Sequence, residues 1–260
     1  MSKYSENKQN VIGIILAGER DFGRYPLASR LSTALWPIFD RPAIEHLLFR
    51  LSEYGVKQTI ICSNSDDTAM RKAIEGNSYP NMELKFSESS LPAGTAGSIR
   101  QAVNGEKNSL LLVFPASMVN VPDIETLIEA HYRGQCELTV VLNPADENSR
   151  PNGESAGIYV CEPTILEHIP VEGYYDIKES LIPAMLRVGK NIYAARLSMP
   201  VGGFRNFSEY INAMVYYLES SRGNIFNFPV SRQDELRTLW KGTDSHIDSS
   251  ARVYGPVVIM

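Results

Sequence analysis

The residues best placed for chemistry follow a short apolar run. Val11 to Leu16 (VIGIIL) reads as a buried parallel strand. It opens into Ala17-Gly18-Glu19-Arg20-Asp21-Phe22-Gly23-Arg24, a loop with two glycines and charges of both signs. A first strand ending in such a loop is a phosphate-binding arrangement in many α/β proteins, because backbone N–H groups and a cation can meet an anion there. Arg20 and Arg24 are the cations within reach of a phosphate by a local shift. The carboxylates of Glu19 and Asp21 would repel an anion unless a metal intervened. The alternative is a solvated, charged loop. A second glycine-rich turn, Leu91-Pro92-Ala93-Gly94-Thr95-Ala96-Gly97, stands before a helix. Its glycines leave the backbone open to close approach by a ligand, or serve strand-to-helix packing.

Other chemistry-bearing residues are less suggestive. Cys62, Cys136 and Cys161 are widely spaced, with no CxxC pair, and read as free thiols, two of them in apolar runs. His46, His131, His168 and His246 show no metal-binding spacing and read as surface or helix-end residues. No metal ligand set is expected from these spacings.

The elements that must hold the glycine-rich loops alternate. Strands are expected at Val11–Leu16, Gln58–Cys62, Glu83–Phe86, Ser109–Phe114 and Leu138–Leu142. Helices are expected between them at Ala43–Tyr54, Asp66–Ile74, Thr95–Val103 and Pro122–Tyr132. The 3.6-residue spacing of Ile44, Leu47, Leu48 and Leu51, ended by Gly55, is the clearest helical signal. Successive strand–helix–strand units imply an α/β fold with a Rossmann-like, doubly wound, mostly parallel sheet. After Pro144 a polar, turn-rich stretch leads to a strand at Ala156–Val160, helices at Pro163–His168 and Ile177–Arg187, a strand at Ile192–Leu197 and a helix at Phe207–Leu218. Near the end, Ile247, Val253 and Ile259 fall six residues apart, the hexapeptide period of a left-handed β-helix. The expected domains are a polar tail over 1–10, the α/β domain over 11–220, a linker over 221–242 and the start of a β-helix over 243–260.

Bulk properties narrow the partners. The chain has 260 residues, with 43% hydrophobic and 21% charged, which suits one large soluble α/β domain. A net charge of -5 gives no general attraction to nucleic acid or an anionic membrane. No apolar run approaches the roughly 20 residues needed to span a bilayer, and the polar first ten residues lack a signal-peptide core, so a cytoplasmic protein is expected.

The stretches Val11–Leu51, Leu91–Ala102, Leu110–Asn120, Ala156–Val160 and Asp176–Leu197, in that order, resemble the sugar-1-phosphate nucleotidyltransferase family. That resemblance implies a nucleotidyltransferase fold in which Leu16, Ala17, Gly18, Gly94, Thr95 and Ala96 contact nucleotide. It implies Gly157, Lys178 and Glu179 at the sugar, and Mg²⁺ held by two acids while a Lys or Arg neutralises charge. The chemical positions are substituted. Against the family's pattern, Gly23 stands where the catalytic Arg belongs, Thr33 at the signature Lys, Ser117 at the first metal Asp and Gly203 at the second. The Glu-Lys-Pro triplet of the sugar-side hairpin is missing between Asn143 and Ser155. The expectation is a nucleotidyltransferase-like pseudoenzyme of nucleotide-sugar metabolism that binds a nucleotide or nucleotide sugar, or serves as a regulatory partner in a homo-oligomer or beside an active paralogue. No cofactor is expected. The first alternative is an active transferase that joins an NTP to a sugar 1-phosphate with Mg²⁺, with Arg20, Arg24 and Asp21 as weak catalytic candidates. The second is a scaffold without a small-molecule site.

Overall fold

The computed structural model describes residues 10–18, 31–64, 68–89, 91–103, 105–144, 154–198, 202–204, 206–220, 230–232, 239–254 and 257–259. The catalytic candidates Arg20, Asp21 and Arg24 lie outside these residues, as does most of the stretch where the sugar-side hairpin would be inserted.

β1 (Val11–Leu16) is an interior strand of a seven-stranded sheet. It pairs in parallel with β4 (Gln58–Asn64) on one side and with β6 (Leu110–Pro115) on the other. The first strand is apolar on both faces because helices cover both. Ile15 packs with α1 (Ala43–Tyr54), α2 (Thr68–Glu75) and α4 (Ile124–Gly134) on one side. Ile12, Ile14 and Leu16 pack with α3 (Gly94–Ala102) and α5 (Ile182–Arg187) on the other. Each aliphatic side chain fully buried in these layers contributes about 1.5–3 kcal/mol.

The helix ends follow local chemistry. Ile44, Leu47, Leu48 and Leu51 are fully buried, and α1 stops where Gly55 takes φ 92°. The Val56 N–H then donates to the Leu51 carbonyl at 3.0 Å, which closes the last turn. At the start of α4 the Thr126 N–H donates to the Asp123 carboxylate at 2.9 Å.

The remaining strands of the sheet are β5 (Glu83–Ser89), β8 (Leu138–Leu142), β9 (Ser155–Cys161) and β10 (Ile192–Arg196). The order is β10-β8-β9-β6-β1-β4-β5. The mostly parallel doubly wound sheet is present, with one reversal: β9 runs antiparallel to both β6 and β8. No helix was read between β8 and β9, and a parallel return needs such a crossover.

Smaller pieces complete the molecule. β2 (Pro37–Ile38) and β3 (Arg41–Pro42) form a short antiparallel pair. β7 (Met118–Asn120) pairs with β11 (Gly202–Gly203) and lies under α6 (Phe207–Ser220). There Trp36, Phe204 and Tyr210 bury their rings together, with centroids 5.1–5.6 Å apart. Tyr210 is the ring that α6 contributes to this cluster.

Within the segment read as a linker, β12 (Val230–Arg232) and β13 (Leu239–Gly242) pair with each other. β14 (Val257–Ile259) joins β13 in parallel, and Trp240 is buried against Leu218 of α6. Among the described residues, no helix is long and apolar enough to cross a membrane.

Candidate functional site

The sheet brings one group of candidates together at the carboxyl ends of β1 and β6 and the amino end of the antiparallel β9. The Ala17 N–H donates to the Cys62 carbonyl at 2.7 Å, and the Ala116 N–H donates to the Leu16 carbonyl at 3.0 Å. Leu16 and Ala17 are therefore fixed between β4 and the turn after β6, with both side chains buried. Gly18 continues from that point to the edge of the described loop.

The turn Ala116–Ser117 follows β6, and the chain then enters β7, where Met118 sits opposite Gly203. This pairing puts the two positions that the family pattern reserves for metal-binding acids face to face. A Cβ added to Gly203 would fall closer than 3.0 Å to Ser117 Oγ and 3.3 Å from Pro115 Cγ. Gly157 reaches the same place: its φ is 76°, and a Cβ there would stand 3.5 Å from Pro115 Cγ. Gly157 thus sits beside the Ser117–Gly203 contact.

The donor set does not suit Mg²⁺. A hard dication takes carboxylate or carbonyl oxygens and keeps several waters. Ser117 offers a neutral hydroxyl that is buried, and Gly203 offers a hydrogen. The carboxylate of Asp123, a few residues along, is spent on Thr126 N–H and Thr126 Oγ1. Among the described residues, no cluster of three His, Cys, Asp or Glu could hold a metal.

A second group of candidates is joined more tightly than the sequence suggested. The Ala96 and Gly97 N–H groups both donate to the Tyr175 carbonyl at 3.0 Å, and the Tyr175 N–H returns a bond to the Ala93 carbonyl at 2.8 Å. Gly94 has φ 74°, and a Cβ there would meet the Tyr175 carbonyl oxygen at 2.6 Å. Packing against residue 175 therefore requires glycine at 94, whatever ligand approaches.

Thr95 Oγ1 donates to Asp176 Oδ2 at 2.7 Å and accepts from the Ile177 N–H at 2.9 Å. Asp176 Oδ1 accepts from the Lys178 N–H at 2.8 Å and the Glu179 N–H at 3.3 Å. Lys178 and Glu179 belong to a π-helical turn, Ile177–Leu181, and their side chains are exposed. Such turns are frequent at functional sites.

Asp176 and Tyr175 were missed as site residues. An Asp directly before Ile-Lys-Glu is a helix N-cap signal, and that signal was available. Thr33, at the signature Lys position, is buried in a 3₁₀ turn, Thr33–Leu35. Arg41 lies over the Phe49 ring of α1, 5.1 Å from its centroid.

A cavity of about 700 Å³ is lined in part by Arg41, His46, Phe49, Asn120 and Tyr217. None of the described candidates lines it. Burial, and secondarily the nearby Arg41 guanidinium, depress the His46 imidazole to about 4, so it is neutral at pH 7.

The comparisons with known proteins agree with this architecture. The family model described as "Nucleotidyl transferase" matches residues 12–153, more than half of the chain. A mannose-1-phosphate guanylyltransferase of Mycobacterium tuberculosis is 21% identical over 202 residues, covering 69% of this chain and 56% of the relative. A D-glycero-alpha-D-manno-heptose 1-phosphate guanylyltransferase of Aneurinibacillus thermoaerophilus is 25% identical over 137 residues, covering 53% of this chain and 59% of the relative. The chain thus spans little more than half the length of these curated relatives. The crystal structure of HddC from Yersinia pseudotuberculosis superposes with a TM-score of 0.65 at 16% identity, covering 80% of this chain and 99% of that one. With the family model over most of the sheet and its fold shared at that TM-score, the chain belongs to the nucleotidyl transferase family.

Proposed function

We propose that this chain binds a nucleotide or nucleotide sugar without the family's Mg²⁺-dependent transfer, and acts as a binder or regulatory subunit in nucleotide-sugar metabolism. The observation that carries this reading is the contact between Ser117 and Gly203. The two positions that should hold a divalent ion are adjacent, and they offer a hydroxyl and a hydrogen. Phosphoryl transfer of this type relies on positioning and charge neutralisation, so removing the ion's ligands removes most of the rate enhancement.

The names of the relatives favour a guanine nucleotide joined to a mannose-like sugar. The kept frame at Leu16–Gly18 and the intact turn at Gly94–Gly97 support a nucleotide side, and Gly157 with Lys178 and Glu179 a sugar side. The parallel pairing of β13 with β14 supports reading the C-terminal segment as the first part of a β-helix that contacts other copies or a paralogue.

The test is a pyrophosphate-release assay over NTPs and sugar 1-phosphates, run beside thermal melting with GDP and GDP-mannose, with and without Mg²⁺. A ligand that prefers the native state raises the melting temperature. The expected outcome is no turnover and a stabilisation independent of Mg²⁺. Robust Mg²⁺-dependent turnover would return the chain to the active-transferase reading, with the loop arginines as its cations.

A further inference from the structure

We propose that Thr95 and Asp176 are positioning residues that couple the nucleotide side of the cradle to its sugar side. This inference rests on the binding role argued above and goes further, naming the ligand class as one that spans both sides. The two segments are some eighty residues apart in sequence, yet they share a continuous set of hydrogen bonds. Thr95 Oγ1 stands at its centre, donating to Asp176 and accepting from the Ile177 N–H. The second oxygen of Asp176 then holds the Lys178 and Glu179 amides.

Two consequences follow from the donor and acceptor count. A threonine hydroxyl has one proton, and Thr95 spends it on Asp176. It therefore has no proton left for a base or phosphate, so its side chain acts through Asp176 rather than on the ligand. The Asp176 carboxylate is filled from three directions, which fixes its plane. The turn at 94–97 and the turn at 177–181 then present one preorganised surface. A ligand that engages both sides gains from that rigidity. A free nucleoside diphosphate, touching one side, does not.

The variants that test this are Thr95→Val, which keeps shape and removes both hydrogen bonds, Thr95→Ser, which keeps them, and Asp176→Asn. Amide hydrogen exchange on the full chain without ligand reads the link directly. In Thr95→Val the Ile177, Lys178 and Glu179 amides exchange roughly tenfold faster, as loss of a charge-assisted bond implies, while Thr95→Ser matches the native protein. Asp176→Asn loosens the same amides, which guards against a misfolded valine variant.

Calorimetry with GDP-mannose and with GDP reads the coupling. Thr95→Val weakens GDP-mannose roughly tenfold and GDP far less, and Thr95→Ser restores both. Unchanged exchange at 177–179 in Thr95→Val would overturn the link. Equal losses for the two ligands would overturn the coupling and leave Thr95 as part of the nucleotide side alone. Native protein that binds neither ligand would overturn the proposed function and this ligand class together, while faster exchange would still establish the link between the turns.

Discussion

Ser117 and Gly203 occupy each other's space: the hydroxyl of one lies where a Cβ on the other would have to stand. The contact comes from the antiparallel pairing of β7 with β11, which sets Gly203 across from Met118. Acids at both positions would have to open this contact. Here the two small residues close it.

Gly203→Ala should therefore destabilise the fold by about 1–3 kcal/mol, because its methyl meets Ser117 Oγ and Pro115. Ser117→Gly in the same chain should recover much of that loss. Urea unfolding of the two single variants and the double variant measures the coupling. Additive losses would mean that the two residues do not touch.

Gly94 and Gly55 separate two reasons for glycine. Both have positive φ, but nothing lies within 4 Å of a Cβ on Gly55, whereas a Cβ on Gly94 meets the Tyr175 backbone. Gly55→Ala should cost about 1–2 kcal/mol of backbone strain. Gly94→Ala should cost more, since steric overlap adds to the same strain. Melting temperatures of the two variants rank them.

His46 should make the protein acid-sensitive. Its ring is held near 4 in the folded chain against 6.5 when free, first by burial and then by Arg41. Protons therefore bind the unfolded chain more readily. The contribution is complete above pH 6.5 and is lost as the pH falls from there through 4, to a total of about 3 kcal/mol. Denaturant midpoints at pH 7.5 and 5 should differ, and His46→Phe should flatten the difference.

The three cysteines should react unequally with a thiol reagent. Burial pushes the Cys62 thiol up to about 12 and raises that of Cys161 as well. Cys136 is half-exposed, with its sulfur 3.3 Å from Thr139 Oγ1. Native protein should show one fast thiol and denatured protein all three. Fast labelling at Cys62 would mean that β4 opens locally.

Much of the frame was legible in the sequence, for physical reasons. β1 is apolar on both faces, α1 repeats its leucines at helical spacing, and glycine marks the end of α1, so local pattern and tertiary role agree. The direction of β9 was not legible, because alternation within a strand says nothing of which neighbour it joins. The π-helical turn at Ile177–Leu181 was read as ordinary helix, since both place apolar residues on one face. Family spacing singled out Ser117, Gly203 and Gly157 one by one, but only the sheet shows that they meet at Pro115. The Thr95–Asp176 bond joins segments too far apart for any local pattern to connect.

The reversed strand has a consequence for synthesis. β6 meets β9 and β9 meets β8, so residues 155–161 join the half of the sheet built from β1, β4, β5 and β6 to the half built from β8 and β10. A ribosome making this chain releases β8 before the strand that will dock it. The four-stranded half can close on its own helices while Leu138–Leu142 still waits for both its neighbours. A bare apolar strand in that interval is a target for chaperones, and slowing translation after residue 142 should increase aggregation of the nascent chain rather than relieve it.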